Sequence, residues 1–243
     1  MLQFDTISEA YLAVLADVLD NPEFKCKPRD QEIAEQTDRE FQINRPTSDP
    51  IETKDKRRNE TLADYLEKEK ELYDSGCNEA SEFAKISKFW DKIKNPDGTV
   101  NSAYGKLIYY EKTCGNPKFG GPSLTPFQWC RESLIRDKDS RQAYIRVARP
   151  DHLWQGNKDQ VCTLHINFLI REDALNMCVV MRSNDLVKGF AYDAPWFVTV
   201  MEKLLKELRE VYPKLRMGHY RHFAHSLHIY ERDIPKVLKM LGR

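Results

Sequence analysis

A layered α+β fold is what this sequence predicts, and three observations carry it. Strand-like segments collect between 143 and 182 and again at 225–231, whereas helical periodicity marks 6–19, 59–75, 79–93, 126–136 and 194–211. The two kinds do not alternate in regular βαβ order. No Gly-x-Gly-x-x-Gly or phosphate-loop pattern is present, which excludes a Rossmann-type reading.

Each element has a local reason. In 6–19 the apolar set Ile7, Tyr11, Leu12, Val14, Leu15, Val18 and Leu19 makes one helical face that stops before Asn21-Pro22. Residues 24–58 are polar, hold three prolines, and offer room for one or two short strands around Glu40–Ile43. In 59–75, Leu62, Tyr65, Leu66, Leu72 and Tyr73 recur at helical spacing, with Glu69 on or beside that face, where a carboxylate is costly unless paired or used. Residues 79–93 read as one more helix, ended by the turn signal Asn95-Pro96-Asp97-Gly98. A Gly/Pro-rich loop at 113–125 leads to Thr125-Pro126, a cap and first position for the 126–136 helix. Strands follow at 143–149, 161–170 and 175–182. Phe197, Val200, Met201, Leu204, Leu205 and Leu208 then stripe the 194–211 helix, and 225–231 reads as the last strand.

Composition bounds the function. Hydrophobic residues make up 41% of the 243, enough for a sizeable core, and no linker-like stretch divides the chain, so one domain over 1–243 is expected. Lys and Arg total 38, as do Asp and Glu, which argues against direct nucleic-acid binding but leaves room for a small anion held by local arginines. No apolar run nears the roughly 20 residues of a membrane span, and the N-terminus lacks a signal-peptide pattern. The six cysteines form no zinc-ligand spacing, so no metal is expected and reduced thiols in a cytoplasmic protein are.

The segment with most chemical content runs from Cys162 through a strand, the turn Arg171–Ala174 and a second strand to Arg182-Ser183-Asn184-Asp185. Upstream stand the Tyr-Leu-Glu-Lys-Glu helix with Glu69, Phe89-Trp90-Asp91, Asn101-Ser102-Ala103-Tyr104-Gly105 and Asp139-Ser140-Arg141; downstream stands Leu227-His228-Ile229-Tyr230. In this order the motifs resemble the thymidylate synthase superfamily over about residues 60–232. Within it, Arg182–Asp185 followed by Gly189-Phe190 and Asp193, with Thr163 after the cysteine, is similar to the bacteriophage deoxycytidylate hydroxymethylases.

The resemblance implies a mixed sheet covered by helices on one face, a sheet-to-sheet homodimer, and a pyrimidine nucleotide and 5,10-methylenetetrahydrofolate as substrates. It makes Cys162 the nucleophile at C6 of the base, and Arg182, Ser183 and Arg141 the phosphate grip, with Arg141 reaching the partner's site. His228 and Tyr230 would hold the sugar 3′-hydroxyl, and Tyr104 would line the pocket. Asp185 and Trp90 would meet the folate, and Glu69 would organise proton transfers. A thiolate suits C6, a soft conjugate-addition electrophile, if nearby positive charge such as Arg182 lowers its pKa. The exocyclic methylene then formed at C5 is reduced by thymidylate synthases and hydrated by hydroxymethylases.

Asp193 bears on the base. Thymidylate synthases carry Asn there, which suits O4 and N3–H of uracil; a carboxyl accepts from the N4 amine of cytosine and shares a proton with N3. Ahead of Ala194-Pro195 the same residue also reads as a helix N-cap. Each of the others has a plainer role open to it: Cys162 as a strand thiol, Arg182 as a surface charge, Glu69 as a solvated helix residue, Trp90 and Tyr104 as core aromatics, His228 and Tyr230 as half-buried strand residues. Gln142 departs from the family's second arginine, with Arg146 or Arg149 as substitutes, and Arg29 is a weak phosphate-loop candidate. Thirteen residues follow Tyr230, shorter than the lid segment of thymidylate synthases. The expectation is a dCMP hydroxymethylase. A dUMP or CMP hydroxymethylase, a thymidylate synthase, and a non-catalytic nucleotide-binding protein on the same scaffold are the alternatives.

Overall fold

A computed structural model describes residues 1–243, the side chain of Pro117 apart. Its strands are β1 (Leu2–Phe4), β2 (Phe24–Cys26), β3 (Ile33–Ile43), β4 (Tyr144–Arg146), β5 (Thr163–Arg171), β6 (Ala174–Met181), β7 (Asn184–Asp185) and β8 (Arg216–Tyr230). The helices are α1 (Ile7–Asp20), α2 (Lys56–Ser75), α3 (Ala80–Ile86), α4 (Phe89–Ile93), α5 (Pro126–Arg136), α6 (Ala191–Leu208) and α7 (Ile234–Leu241). The chain forms two compact units. The first comprises Met1–Leu66, Asn176–Lys203 and Met217–Arg243; the second comprises Glu67–Leu175 and Leu204–Arg216.

In the first unit, β3 runs antiparallel to β8, from Ile33 opposite Tyr230 to Ile43 opposite Tyr220. Parallel β1 and antiparallel β2 add to β3, and the two-residue β7 pairs in parallel with β8, setting Asp185 opposite His228. Helix α1 starts where Thr6 accepts the Glu9 backbone N–H at 3.2 Å, a cap worth about 1 kcal/mol. Its buried face, Tyr11, Val14, Leu15 and Val18, belongs to a core with Phe41, Ile43 and Phe190. Tyr11 stacks on Phe190 with centroids 6.0 Å apart, and Phe41 meets Phe190 at 5.5 Å. Full burial of each such ring contributes about 1.5–3 kcal/mol.

In the second unit, β4 pairs antiparallel with β5, Tyr144 lying opposite Asn167. Glu172 and Asp173, both with positive φ, make the two-residue turn from β5 into β6. Helix α5 begins with a full capping box, Thr125 and Gln128 exchanging hydrogen bonds. The aromatic core includes Tyr73, Phe83, Trp90 and Tyr104, with Phe83 and Trp90 4.9 Å apart and Tyr73 and Tyr104 5.9 Å apart. Gly105 is required by close approach: a Cβ there would lie 2.0 Å from the Tyr73 carbonyl oxygen.

Several sequence expectations shift. The 79–93 helix is two short ones, α3 and α4, broken at Ser87-Lys88. The last strand starts at Arg216, not 225, because its first half alternates too many polar side chains to read as a strand. The 24–58 stretch holds the eleven-residue β3, longer than foreseen. Helix α6 begins at Ala191, straight after a π-type turn over Leu186–Phe190. Asp193 is therefore its third residue and not its N-cap.

Candidate active site

The candidate residues divide between the two units. In the second unit, Cys162 sits immediately before β5, half-buried, its thiol 3.8 Å from the Gln160 carbonyl oxygen. The turn that carries it is anchored on both sides. Asn157 accepts the Asp159 backbone N–H at 2.9 Å and donates to the His152 carbonyl at 2.7 Å. Asp159 is only 4% exposed; its carboxylate accepts from the Ser102 backbone N–H at 2.8 Å and from the Ser102 hydroxyl. The Asn101 side chain donates to the Asp159 carbonyl at 3.0 Å. One residue beyond the cysteine, the Thr163 hydroxyl donates to Tyr104 at 3.1 Å. Burial raises the pKa of Asp159, against the opposing pull of the Ser102 bonds, and burial lowers that of His152. Asp159 and Ser102, 57 residues apart, carry no sequence signal of their pairing.

Glu69 on α2 is 5% exposed, which removes the solvated-helix account of it. Trp90 is 7% exposed, its ring against Phe83 and, at 5.9 Å, Phe89. Its packing is that of a core aromatic, and its folate contact rests on the resemblance. Arg141 is exposed, as is Gln142, whose carbonyl accepts from the Trp129 indole at 2.9 Å. Arg149 is unsuited to replace the missing second arginine, because it is engaged by Glu111 and by the Leu107 carbonyl at 3.2 Å. Arg146 is exposed, its Nε donating to the Ala148 carbonyl.

In the first unit, Arg182 and Ser183 are half-buried at the end of β6. Asp185 follows, accepting the Val187 backbone N–H at 2.8 Å. Burial raises its pKa and lowers that of His228, and each opposes the shift of the other. His228 Nδ1 lies 3.3 Å from the Ser226 hydroxyl, and the Tyr230 ring stands edge-on to it at 5.2 Å. Arg29, in a left-handed conformation with φ 52°, adds positive potential at His228.

Asp193 is half-buried and its Oδ2 accepts from the Asn184 side-chain amide at 3.1 Å. The segment leading to it is clamped by Arg58, which donates to the Tyr192 hydroxyl at 3.0 Å and to the Val187 carbonyl at 2.7 Å. Tyr65 packs on Tyr192 at 4.2 Å. Behind it, burial and the Asp193 charge push the Tyr220 pKa up, and Tyr220 shares a 2.7 Å hydrogen bond with His222, whose pKa burial depresses to about 3. Sequence reasoning passed over Asn184, Arg58 and Asp159. Only Asn184, beside two singled-out residues, left any trace.

Among the described residues no group of three or more His, Cys, Asp or Glu is gathered to hold a metal, and no helix is long and apolar enough to cross a membrane.

The family model for thymidylate synthase matches residues 9–243. The deoxycytidylate 5-hydroxymethyltransferase of Enterobacteria phage T6 is 30% identical over 176 residues, covering 70% of this chain and 68% of that protein. The deoxyuridylate hydroxymethyltransferase of Bacillus phage SP01 is 30% identical over 137 residues, 55% of this chain and 34% of that protein. The thermostable thymidylate synthase A from Bacillus subtilis shares the fold, with a TM-score of 0.71 over 98% of this chain and 84% of its own, at 17% identity. The thymidylate synthase-like α+β fold is therefore present. The family consists of one-carbon transferases that use methylenetetrahydrofolate as co-substrate. With a match over nearly its whole length, the chain belongs to the thymidylate synthase family and is a one-carbon transferase.

Proposed function

We propose that the chain is a deoxycytidylate 5-hydroxymethyltransferase, converting dCMP, 5,10-methylenetetrahydrofolate and water to 5-hydroxymethyl-dCMP and tetrahydrofolate. The observation that carries the choice of cytosine is the carboxyl at 193, whose Oδ2 accepts from the Asn184 amide at 3.1 Å. Cys162 adds through sulfur to C6 of the base, which makes C5 the nucleophilic carbon. Asp193 accepts from the N4 amine. Arg182 and Ser183 hold the phosphate, joined by Arg141 of a second copy in a homodimer. His228 and Tyr230 hold the sugar, and Tyr104 lines the pocket. Asp185, with Trp90, would hold the folate, which supplies the one-carbon unit at the oxidation level of formaldehyde. Once C5 has taken up the one-carbon unit, the C5 proton and tetrahydrofolate depart and leave an exocyclic methylene. Glu69 positions the water that adds to it and takes up the water's proton, and the Cys162 thiolate leaves C6, which restores the ring double bond. In this proposal the two units serve one catalytic domain over 1–243, and the product is a modified DNA precursor of a phage-infected cytoplasm.

A uracil substrate also has findings in its favour, among them the deoxyuridylate hydroxymethyltransferases of Bacillus phage SP01 and Delftia phage PhiW-14. Incubation with dCMP or dUMP and methylenetetrahydrofolate, read by product mass, decides between them. A gain of CH2O on dCMP supports the proposal. The same gain on dUMP alone transfers it to uracil, and a gain of CH2 makes the chain a methylating synthase. Cys162→Ala is expected to abolish turnover while dCMP still binds. Binding without turnover in the unmodified protein would mean a non-catalytic scaffold.

A further inference from the structure

We infer that Asn184 is a positioning residue for base selection: its side-chain amide fixes the Asp193 carboxylate in the one form and orientation that accepts cytosine and rejects uracil. The inference deepens, and rests on, the base-recognition role proposed for Asp193. Asn184 is 2% exposed and is fixed in β7 by its register with Leu227 of β8. Its Nδ2 donates to Asp193 Oδ2 at 3.1 Å, while its own Oδ1 is buried without a hydrogen-bond partner among the described residues. An apolar side chain of the same shape would avoid that orphaned oxygen. The half of the amide that is used is the N–H half, and it is used on Asp193.

Gly189 makes the room. A Cβ at 189 would lie 2.7 Å from Asn184 Nδ2 and 3.4 Å from Asp193 Oδ2. Gly189 is not in the left-handed region, so the need is for space and not for an unusual φ. The π-type turn over Leu186–Phe190 brings residues 184 and 193 together across nine positions, and Asp193 then stands in the first turn of α6, where the helix dipole also favours its charge.

The chemical consequence concerns the atom at C4 of the base. An ionised carboxylate accepts from the N4 amine of cytosine. Uracil places O4 at the same point, and two acceptors repel. Asp193 accommodates uracil only by taking up a proton and turning its O–H toward O4. A donated N–H stabilises the charged form and ties down Oδ2, opposing both.

The test compares the kcat/KM ratio for dCMP over dUMP in the full-length enzyme and its Asn184→Leu, Gly189→Ala and Asp193→Asn variants. Asn184→Leu is expected to lower the ratio on the order of tenfold, the size of one charge-assisted hydrogen bond, chiefly through the KM for dCMP. Gly189→Ala, which pushes the amide aside and leaves both partners in the chain, is expected to lower it in the same direction, and it serves as the second reading should Asn184→Leu fail to fold by circular dichroism. An unchanged ratio in the folded variants, beside a collapsed ratio in Asp193→Asn, would overturn the role of Asn184 and leave that of Asp193 intact. An unchanged ratio in Asp193→Asn overturns both.

Discussion

The two units hold their candidate residues in different ways. The turn before Cys162 is fixed by side chains that grip main-chain atoms: one buried carboxylate, Asp159, accepts a main-chain N–H and a hydroxyl from Ser102, and its own carbonyl is held by the Asn101 side chain. The segment from Asn184 to Asp193 is fixed mostly by contacts between side chains: an amide on a carboxylate, a guanidinium that meets a phenol and also reaches the Val187 carbonyl, and two tilted rings in contact. In the proposed reaction the difference suits two tasks. A nucleophile needs one fixed trajectory, and a turn anchored at main-chain atoms would supply it. Choice of base needs a contact that a single substitution can retune, and a side-chain pair would supply that.

The largest effect that would break this contrast is at Asp159. Asp159→Ala leaves the Ser102 N–H and hydroxyl without their buried acceptor, a cost of about 1–3 kcal/mol. At this chain length each kcal/mol lowers Tm by about 2–4 °C. A nucleophile released from its trajectory is expected to lose on the order of 100-fold in kcat, with nucleotide binding little changed. Single-turnover kinetics and calorimetry measure the two separately. Unaltered kcat in a destabilised variant would reduce Asp159 to a structural anchor.

Acid separates the halves next. His222, in the first unit, has its pKa depressed to about 3 by burial. The unfolded chain takes up a proton near pH 6.5 and the folded one does not, so the unfolded state binds more protons between those values. Stability from this group is complete above pH 6.5 and is lost as pH falls toward 3, by about 1.4 kcal/mol per unit within the window. Asp159, in the second unit, shifts the other way. Its raised pKa gives a contribution present below the unfolded carboxylate value and lost as pH rises through the folded one. His222→Gln is expected to flatten the fall of stability with acid, as measured by urea unfolding from pH 7 to pH 4.5. An equal slope in variant and parent would mean that His222 is charged in the folded state.

How much of this was readable beforehand follows the range of the interactions. The caps at Thr6 and Thr125, the stripe of α6 and the turn between β5 and β6 are local, and each is written in adjacent residues. The order of the motifs sufficed for the family and hence for the fold. Strand β3 escaped detail because Glu35, Gln36, Asp38, Arg39, Glu40 and Gln42 mask its alternation, and its pairing with β8 spans nearly the whole chain. The periodicity of 79–93 hides a break at Ser87-Lys88, around which Phe83 and Trp90 pack together, and there tertiary contact overrides periodicity. Asp193 read as an N-cap because Pro195 normally marks a helix start. The π-type turn before it starts the helix two residues ahead of Asp193, and that turn also creates the pairing with Asn184. The pairing of Asp159 with Ser102 was invisible for a simpler reason: no local pattern encodes a contact across 57 positions.

The smallest effect sharpens the side-chain account of the first unit. Arg58 reaches the Tyr192 hydroxyl and the Val187 carbonyl with its two terminal nitrogens, and it lies over the Tyr192 ring at 5.4 Å. Its Nε is buried without a partner among the described residues, which offsets part of the gain. Arg58→Lys keeps the charge but offers a compact ammonium in place of a planar fork, so it cannot make both bonds in the same geometry. The expected loss is about 1 kcal/mol of stability, the net worth of one hydrogen bond. Because the clamp holds the backbone on which Asp193 rides, the KM for dCMP is expected to rise by about threefold while kcat stays level, since the binding contact is loosened and the nucleophile is not. A fall in kcat with constant KM would mean that the clamp acts on the reacting carbon and not on the base edge, and the division of labour between the two halves would have to be redrawn.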